Sequence, residues 1–266
     1  MKKRHSLYPK EYQSIDFDSI EASQNAGIAL KEKKCLHDIY VEIYDLMMTS
    51  AKKYLCLDSN AKILEIGSGG GFIKDIYPDI ITSDIKKSAS IDMVIDAQIL
   101  PFNNSALDAI FAVHVIHHIP DIHKFLNEAN RTLRSYGGIV CIEPYWGLLA
   151  RFMYKRMHPE PFDEKAATWT LSSSDPMYSS NQALSYILLK RDKKLFQNQF
   201  PEFEIIRLKR FGFLRYFCTG GIWLKQKLPD FCFPILKALE TVLSPLMPIL
   251  AIHHAFIIRK KAQKHE

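Results

Sequence analysis

The stretch ILEIGSGGG, residues 63–71, holds four of the chain's 11 glycines within five positions. Glycine loses more backbone freedom on folding than other residues, a cost of about 0.5–1 kcal/mol against alanine inside a helix or strand. Such a cluster marks backbone that turns sharply or lies close to a ligand. Just before it, ILEI is a short apolar strand carrying one acid, Glu65. After it come FIKDIY, a short helix stopped by Pro78, and the strands DIITSD and IDMVID. LDAIFAVHV is nearly all apolar, as a strand buried on both faces should be. DIHKFLNEANRTLRSYGG has a helical stripe (Ile122, Phe125, Leu126, Ala129, Leu133), an Asp in the N-cap position and glycines at its end. GIVCIEP is a fifth strand.

Short apolar strands alternating with helices predict an α/β fold whose parallel sheet is joined by right-handed crossovers. Ligands of such sheets sit outside the carboxyl ends of the strands. Here those ends carry Glu65, Asp84, Asp96, His114 and Glu143, four carboxylates and one imidazole. A purely structural sheet has no reason to collect charge there.

Around this half the texture changes. Residues 1–24 are polar and irregular, and apolar positions from Leu30 to Leu55 recur at helical spacing, one or two amphipathic helices. Residues 145–200 lose periodicity and are rich in aromatic residues, Ser and Pro (HPEPFD, SSSDPMYSS), as an insertion covering the site would be. FEIIRLKRF and HHAFIIRKK complete the sheet as strands, and the Pro-punctuated apolar segment 222–250 lies between them. The expected organisation is therefore 1–59 helical, 60–144 ligand-binding, 145–200 substrate cap and 201–266 completion of the core.

The composition is globular: 266 residues, 47% hydrophobic and 24% charged. A net charge of +6 suits an anionic small molecule or a membrane surface, and the scattered Lys and Arg carry no nucleic-acid signature. Five well-separated cysteines without a CxxC pair support neither a disulfide framework nor a zinc knuckle, which fits a reducing cytoplasm. The basic start, MKKR, leads into Asp16, Asp18 and Glu21 rather than an apolar run, so a signal peptide is not expected. No uncharged stretch reaches the ~18 residues a spanning helix needs. For residues 222–250, lysines beside apolar groups suit either a core helix or an interfacial helix on the inner face of the membrane.

A dinucleotide fingerprint would place a third glycine where this chain has Phe72, which weakens a nicotinamide oxidoreductase reading. Over residues 60–144 the chain instead resembles the class I S-adenosylmethionine-dependent methyltransferases. ILEIGSGGG is similar to their first motif, DAQILPF to their D-A-x-x-L-P-F segment, and LDAIFAVHVIHHIPD to their fourth strand and its loop. The resemblance implies a Rossmann-like, mostly parallel seven-stranded sheet with an antiparallel last strand. It also implies S-adenosyl-L-methionine as cofactor, with Asp84 on the ribose hydroxyls, Asp96 on the adenine amino group and Ala97 lending its amide. EPYWGLLARFMYKRMHPEPFD and NQALSYILLKRDKKLFQNQFPEFEI are similar to stretches of the small-molecule methyltransferases encoded with bacterial surface-polysaccharide genes. That likeness implies a small-molecule or lipid- or glycan-linked acceptor and O-methylation. A non-catalytic binding subunit on the same fold is the alternative.

The residues suit this chemistry unaided. Gly67, Gly69, Gly70 and Gly71 permit close backbone approach, and free amides at a helix start suit a carboxylate. Glu65 would help hold an ammonium group, directly or through water. Methylation of a hydroxyl needs a base, and histidine is the usual one. His117 and His114 lie on the correct edge and His158 in the expected cap. His118 reads as a loop-packing residue, and His253 and His254 as structural. The H-x-x-H-H run has no acid or thiolate at fixed spacing, so no metal is expected. The first crossover, FIKDIYPDIITS, is barely two helical turns, which puts the packing of that face in doubt.

Overall fold

A computed structural model describes residues 19–158, 160–171 and 180–262. The MKKR start and nearly all of SSSDPMYSS lie outside the described residues. Seven strands form one sheet in the order β3-β2-β1-β4-β5-β7-β6. They are β1 (Ile63–Ile66), β2 (Ile81–Asp84), β3 (Met93–Val94), β4 (Leu107–Val113), β5 (Leu133–Pro144), β6 (Phe203–Phe211) and β7 (His253–Lys260). β1 to β5 pair in parallel, and β7 runs antiparallel to both of its neighbours. This is the mostly parallel seven-stranded α/β sheet expected, its last strand reversed.

Alternation along the central strands fills both faces. Leu64, Ile66, Ile110, Ala112, Ile139, Cys141, Phe256 and Ile258 join one buried cluster, with the helix α3 (Ile122–Thr132) and residues of the 145–200 region. Ile63, Ala109, Phe111, Val140, Ile142, Ala255 and Ile257 join the other. The second face answers the doubt over the short crossover. Phe72–Asp75 is a single 3-10 turn, so no crossover helix covers that face. It is covered instead by α2 (Lys34–Leu55), whose Ile39, Ile43, Tyr44, Met47, Ala51 and Leu55 are buried. Phe72 is edge-on to His37 and Tyr40, its ring centroid 5.2 and 6.2 Å from theirs.

Several boundaries differ from the sequence reading. The helix α1 (Ile20–Glu32) begins inside the segment expected to be irregular, with the Ser19 hydroxyl accepting from the Ala22 amide as its cap. α3 ends at Thr132 rather than at the glycines, and β5 starts at once with Leu133. A Cβ on Gly138 would stand 2.9 Å from Ile258 O, so Gly138 serves strand packing, not a helix end. β3 is only two residues long, and Asp96 lies beyond it.

The 145–200 region is no detached lid. Tyr145, Trp146, Tyr154, Phe162, Trp169, Leu184, Ile187, Leu188 and Phe196 belong to the same core cluster as the sheet. Its helices are α4 (Leu148–Arg156) and α5 (Lys193–Gln199). Between them, the turn Leu184–Tyr186 runs into a π-helical turn, Ile187–Arg191.

The core-helix expectation for residues 222–250 fails. In α7 (Phe233–Val242), which follows α6 (Leu214–Thr219), only Phe233 is buried. Phe231 and Val242 are each 75% exposed and Ile235 69%, with Leu239, Leu246 and Ile249 also exposed. No single helix among the described residues is long and apolar enough to cross a membrane, and the pair Asp230–Val242 and Ser244–Leu250 is bent by 66°.

Candidate active site

At the carboxyl edge of β1, β2 and β4, the glycine loop opens a cavity of about 790 Å³. The loop is tied to β2 by the Ser68 amide on Ser83 O (2.8 Å) and the Ser83 hydroxyl on Glu65 O (2.9 Å). Only two of its glycines, Gly67 and Gly69, reach the cavity wall. Gly67 has φ +63°, and a Cβ there would fall 2.4 Å from Val115 Cγ2. Gly69 has φ +51° with nothing within 4 Å of where its Cβ would stand, so its backbone borders open space. Gly70 and Gly71 do other work. Gly70 is met by Gly27 of α1, and a Cβ on Gly71 would collide with Ser90 O at 2.0 Å.

Asp84 ends β2 on the cavity wall. The Gly69 amide donates to its Oδ2 and the Lys86 amide to its Oδ1, both at 3.0 Å. A carboxylate has about four acceptor sites, so each oxygen can take a further donor from a ligand. Asp96 and Ala97 stand on the same wall, Asp96 oriented by the Gln98 amide at 2.9 Å. Glu65 sits behind the loop: Tyr44 donates to its Oε1 at 2.7 Å, while Oε2 is buried with no partner among the described residues. Burial pushes its pKa up to about 7. An open-backed glycine, two wall carboxylates and an orphaned carboxylate oxygen behind the loop fit a ligand with a diol, an adenine and an ammonium group. Lys33, between α1 and α2, donates to Gly221 O, Ile222 O and Leu224 O (2.9, 3.2 and 2.6 Å) and thereby ties down the wall opposite.

All three candidate bases face the cavity, each in a different state. His114 directly follows β4 at φ +57°, a left-handed conformation uncommon for a residue with a Cβ and a recurrent sign of a functional position. Burial lowers its pKa to about 4, and its Nε2 is buried with no hydrogen-bond partner among the described residues. Its ring stands 4.6 Å from that of His253, which lines the cavity instead of being merely structural. His117 is locked by Glu143, whose Oε2 lies 2.5 Å from His117 Nδ1. Glu143 Oε1 accepts from the Val115 and Ile116 amides at 3.0 and 2.9 Å. Burial alone would lower the His117 pKa, but Glu143 and Glu160 outweigh it and raise it to about 10. His158 Nδ1 lies 2.8 Å from Gln182 Nε2.

Glu143, Glu160, Gln182 and Tyr154 belong to this site, yet motif spacing assigns them no role. Glu143 is legible as a charge at a strand end. Glu160 and Gln182 arrive from the 145–200 region, where no periodicity places them. Burial would raise the Glu160 pKa, but His118, His117 and His158 hold it well below the usual carboxylate range. His118, expected to pack the loop, also lines the cavity.

Residues 64–141 match the family model for the methyltransferase domain. The chain is 28% identical over 110 residues to the ubiquinone/menaquinone biosynthesis C-methyltransferase UbiE of Rickettsia prowazekii, covering 32% of this chain and 44% of that protein. It thus spans less than half the length of the curated relatives it matches. Among solved structures it is similar to an S-adenosylmethionine-dependent methyltransferase of Archaeoglobus fulgidus (12% identity, 82% of this chain and 94% of that one, TM-score 0.45). It is also similar to the geranyl diphosphate C-methyltransferase of Streptomyces coelicolor A3(2), solved with S-adenosyl-L-homocysteine (12%, 96% and 89%, TM-score 0.46).

Proposed function

We infer that the chain is a class I S-adenosylmethionine-dependent methyltransferase acting on the oxygen of a small or lipid- or glycan-linked acceptor. The observation that carries this is the convergence of Gly67, Gly69, Asp84, Asp96 and Ala97 on one cavity at the strand ends. S-adenosyl-L-methionine supplies an electrophilic methyl group on sulfur, whose bonding pair stays with the sulfur as the acceptor's lone pair takes the methyl. Asp84 accepts the ribose hydroxyls, Asp96 and Ala97 hold the adenine edge, and Glu65 compensates the ammonium end from behind the loop.

His114 receives the acceptor's proton. Its Nε2 has no hydrogen-bond partner among the described residues, and the ring is neutral near pH 7. His117, held between two carboxylates, positions the wall. The remaining acceleration comes from aligning nucleophile, methyl and sulfur. The acceptor is of lipid character: Phe217 and Met157 line the cavity and are 39% and 43% exposed. The exposed row runs from Phe231, in the 3-10 turn Asp230–Cys232, to Ile235, Leu239 and Val242 on α7, with Lys225 and Lys227 just before it. An apolar face beside lysines suits peripheral attachment to an anionic bilayer from the cytoplasmic side.

The test is calorimetric titration with S-adenosyl-L-homocysteine and NADH. We expect S-adenosyl-L-homocysteine alone to bind, and Asp84→Ala to weaken it about 10²–10⁴-fold, two bonds to a charged group at roughly 1.5–3 kcal/mol each. Unchanged affinity in a folded Asp84→Ala protein would remove the cofactor assignment, and cofactor binding without turnover of any acceptor would favour the non-catalytic alternative.

A further inference from the structure

Three side chains meet on the cavity wall in a way that methyl transfer alone leaves unexplained. His117 Nε2 lies 3.4 Å from Glu160 Oε2, and His118 Nε2 lies 3.6 Å from the same oxygen. One ligand atom from each of the three falls within 4.8 Å of the others. Those two separations are long for hydrogen bonds, whose N···O distance clusters at about 2.9–3.0 Å. They are close to the edge of about 3.3 Å that ligand atoms make around a tetrahedral cation with bonds of ~2.0–2.2 Å.

The set is also held from behind, as metal ligands are. Glu143 takes His117 Nδ1 at 2.5 Å, which leaves Nε2 to face the cavity. Two backbone amides fix Glu143 in turn. Gln182 Nε2 donates to Glu160 Oε2 at 2.8 Å. The 3-10 turn Ile116–His118 brings the two adjacent imidazole rings within 4.2 Å. The acid absent from the H-x-x-H-H run in sequence is supplied in space, 42 positions after His118, by the region expected to be the cap.

We propose that His117, His118 and Glu160 bind a divalent first-row transition cation, of the Zn²⁺ or Fe²⁺ type that two imidazoles and one carboxylate suit. All three residues line the cavity, so the remaining coordination positions open onto the space for the acceptor. There the cation would hold the acceptor's oxygen and lower the pKa of its hydroxyl, whose proton goes to His114. That role rests on the methyl-transfer reading; cation binding does not.

The test titrates chelator-stripped protein with Co²⁺, followed by its visible absorption, and with Zn²⁺ by calorimetry. S-adenosyl-L-homocysteine binding and circular dichroism are recorded on every variant. We expect one saturable equivalent, weakened at least ~100-fold in His118→Gln and in Glu160→Gln, and ~10–100-fold in Glu143→Gln, whose effect is on orientation. His118 has the most exposed side chain of the four, so His118→Gln remains decisive should a buried variant fail to fold. Wild-type protein that binds S-adenosyl-L-homocysteine but no equivalent of Co²⁺ or Zn²⁺ overturns the cation site and leaves methyl transfer standing. Undiminished metal binding in folded His118→Gln and Glu160→Gln overturns it as well. Metal binding without S-adenosyl-L-homocysteine binding would refute the cofactor assignment instead.

Discussion

Gly67→Ala should both destabilise the protein and disturb its glycine loop, and the two effects can be separated. Gly67 sits at φ +63°, where an added Cβ would fall 2.4 and 2.9 Å from the two γ-methyls of Val115. The left-handed backbone costs a residue with a Cβ about 1–2 kcal/mol. Forcing extra carbon against Val115 costs a further ~1–3 kcal/mol, because the packed neighbour must shift. The sum is about 2–5 kcal/mol. For a chain of this size 1 kcal/mol corresponds to roughly 2–4 °C, so Tm should fall by roughly 4–20 °C. The steric share is tested by a double-mutant cycle with Val115→Ala, which removes both methyls. Thermal melts of the four proteins should show the pair less destabilised than the sum of the singles by ~1–3 kcal/mol, with the backbone share persisting. The Tm rise induced by S-adenosyl-L-homocysteine should shrink in Gly67→Ala, since Gly67 sets the path to the Gly69 amide that bonds Asp84. Strict additivity, or a Gly67→Ala melt indistinguishable from wild type, would refute the reasoning.

His114→Ala should lower turnover by about 10²–10⁴-fold while leaving S-adenosyl-L-homocysteine affinity nearly unchanged; full activity would move the proton to His158 or His117. Glu65 carries a folded-state pKa of about 7 against an ordinary 4.5, so the folded protein keeps a proton that the unfolded chain loses. Its contribution to stability therefore falls as pH rises from about 4.5 to 7, by up to about 3 kcal/mol. Denaturant melts of Glu65→Gln should lack that decline, and equal pH slopes in the two proteins would contradict it. The exposed row on α7 should make the protein co-sediment with anionic liposomes at low salt and less so at about 0.5 M NaCl, where screening is strong. Ile235→Asp with Leu239→Asp should abolish co-sedimentation, and wild-type protein left in the supernatant at both salts would refute membrane attachment.

The half of the chain that carries the glycine loop is legible because its information is local. Asp84 ends β2, His114 directly follows β4 and Asp96 comes two residues after β3, so all three are placed by strands near them in sequence. The glycine loop is equally local, but which glycine does what is not. Gly67 and Gly69 face the cavity while Gly70 and Gly71 answer to Gly27 and Ser90, partners that lie far along the chain or across a loop. The short first crossover is harmless because α2, which precedes the sheet in sequence, covers the face it leaves bare. The segment 222–250 is ambiguous in sequence, because an apolar run looks the same whether a sheet or solvent lies beside it. Burial alone distinguishes the two. The histidine wall is the clearest division. His114, His117 and His118 announce themselves as one run after β4, but their chemistry depends on Glu143 at the end of β5, Glu160 after α4 and Gln182 beyond that. Ring states and ligand sets are properties of neighbours a few ångströms away. Only the folded chain brings residues 22 to 43 positions apart into that range.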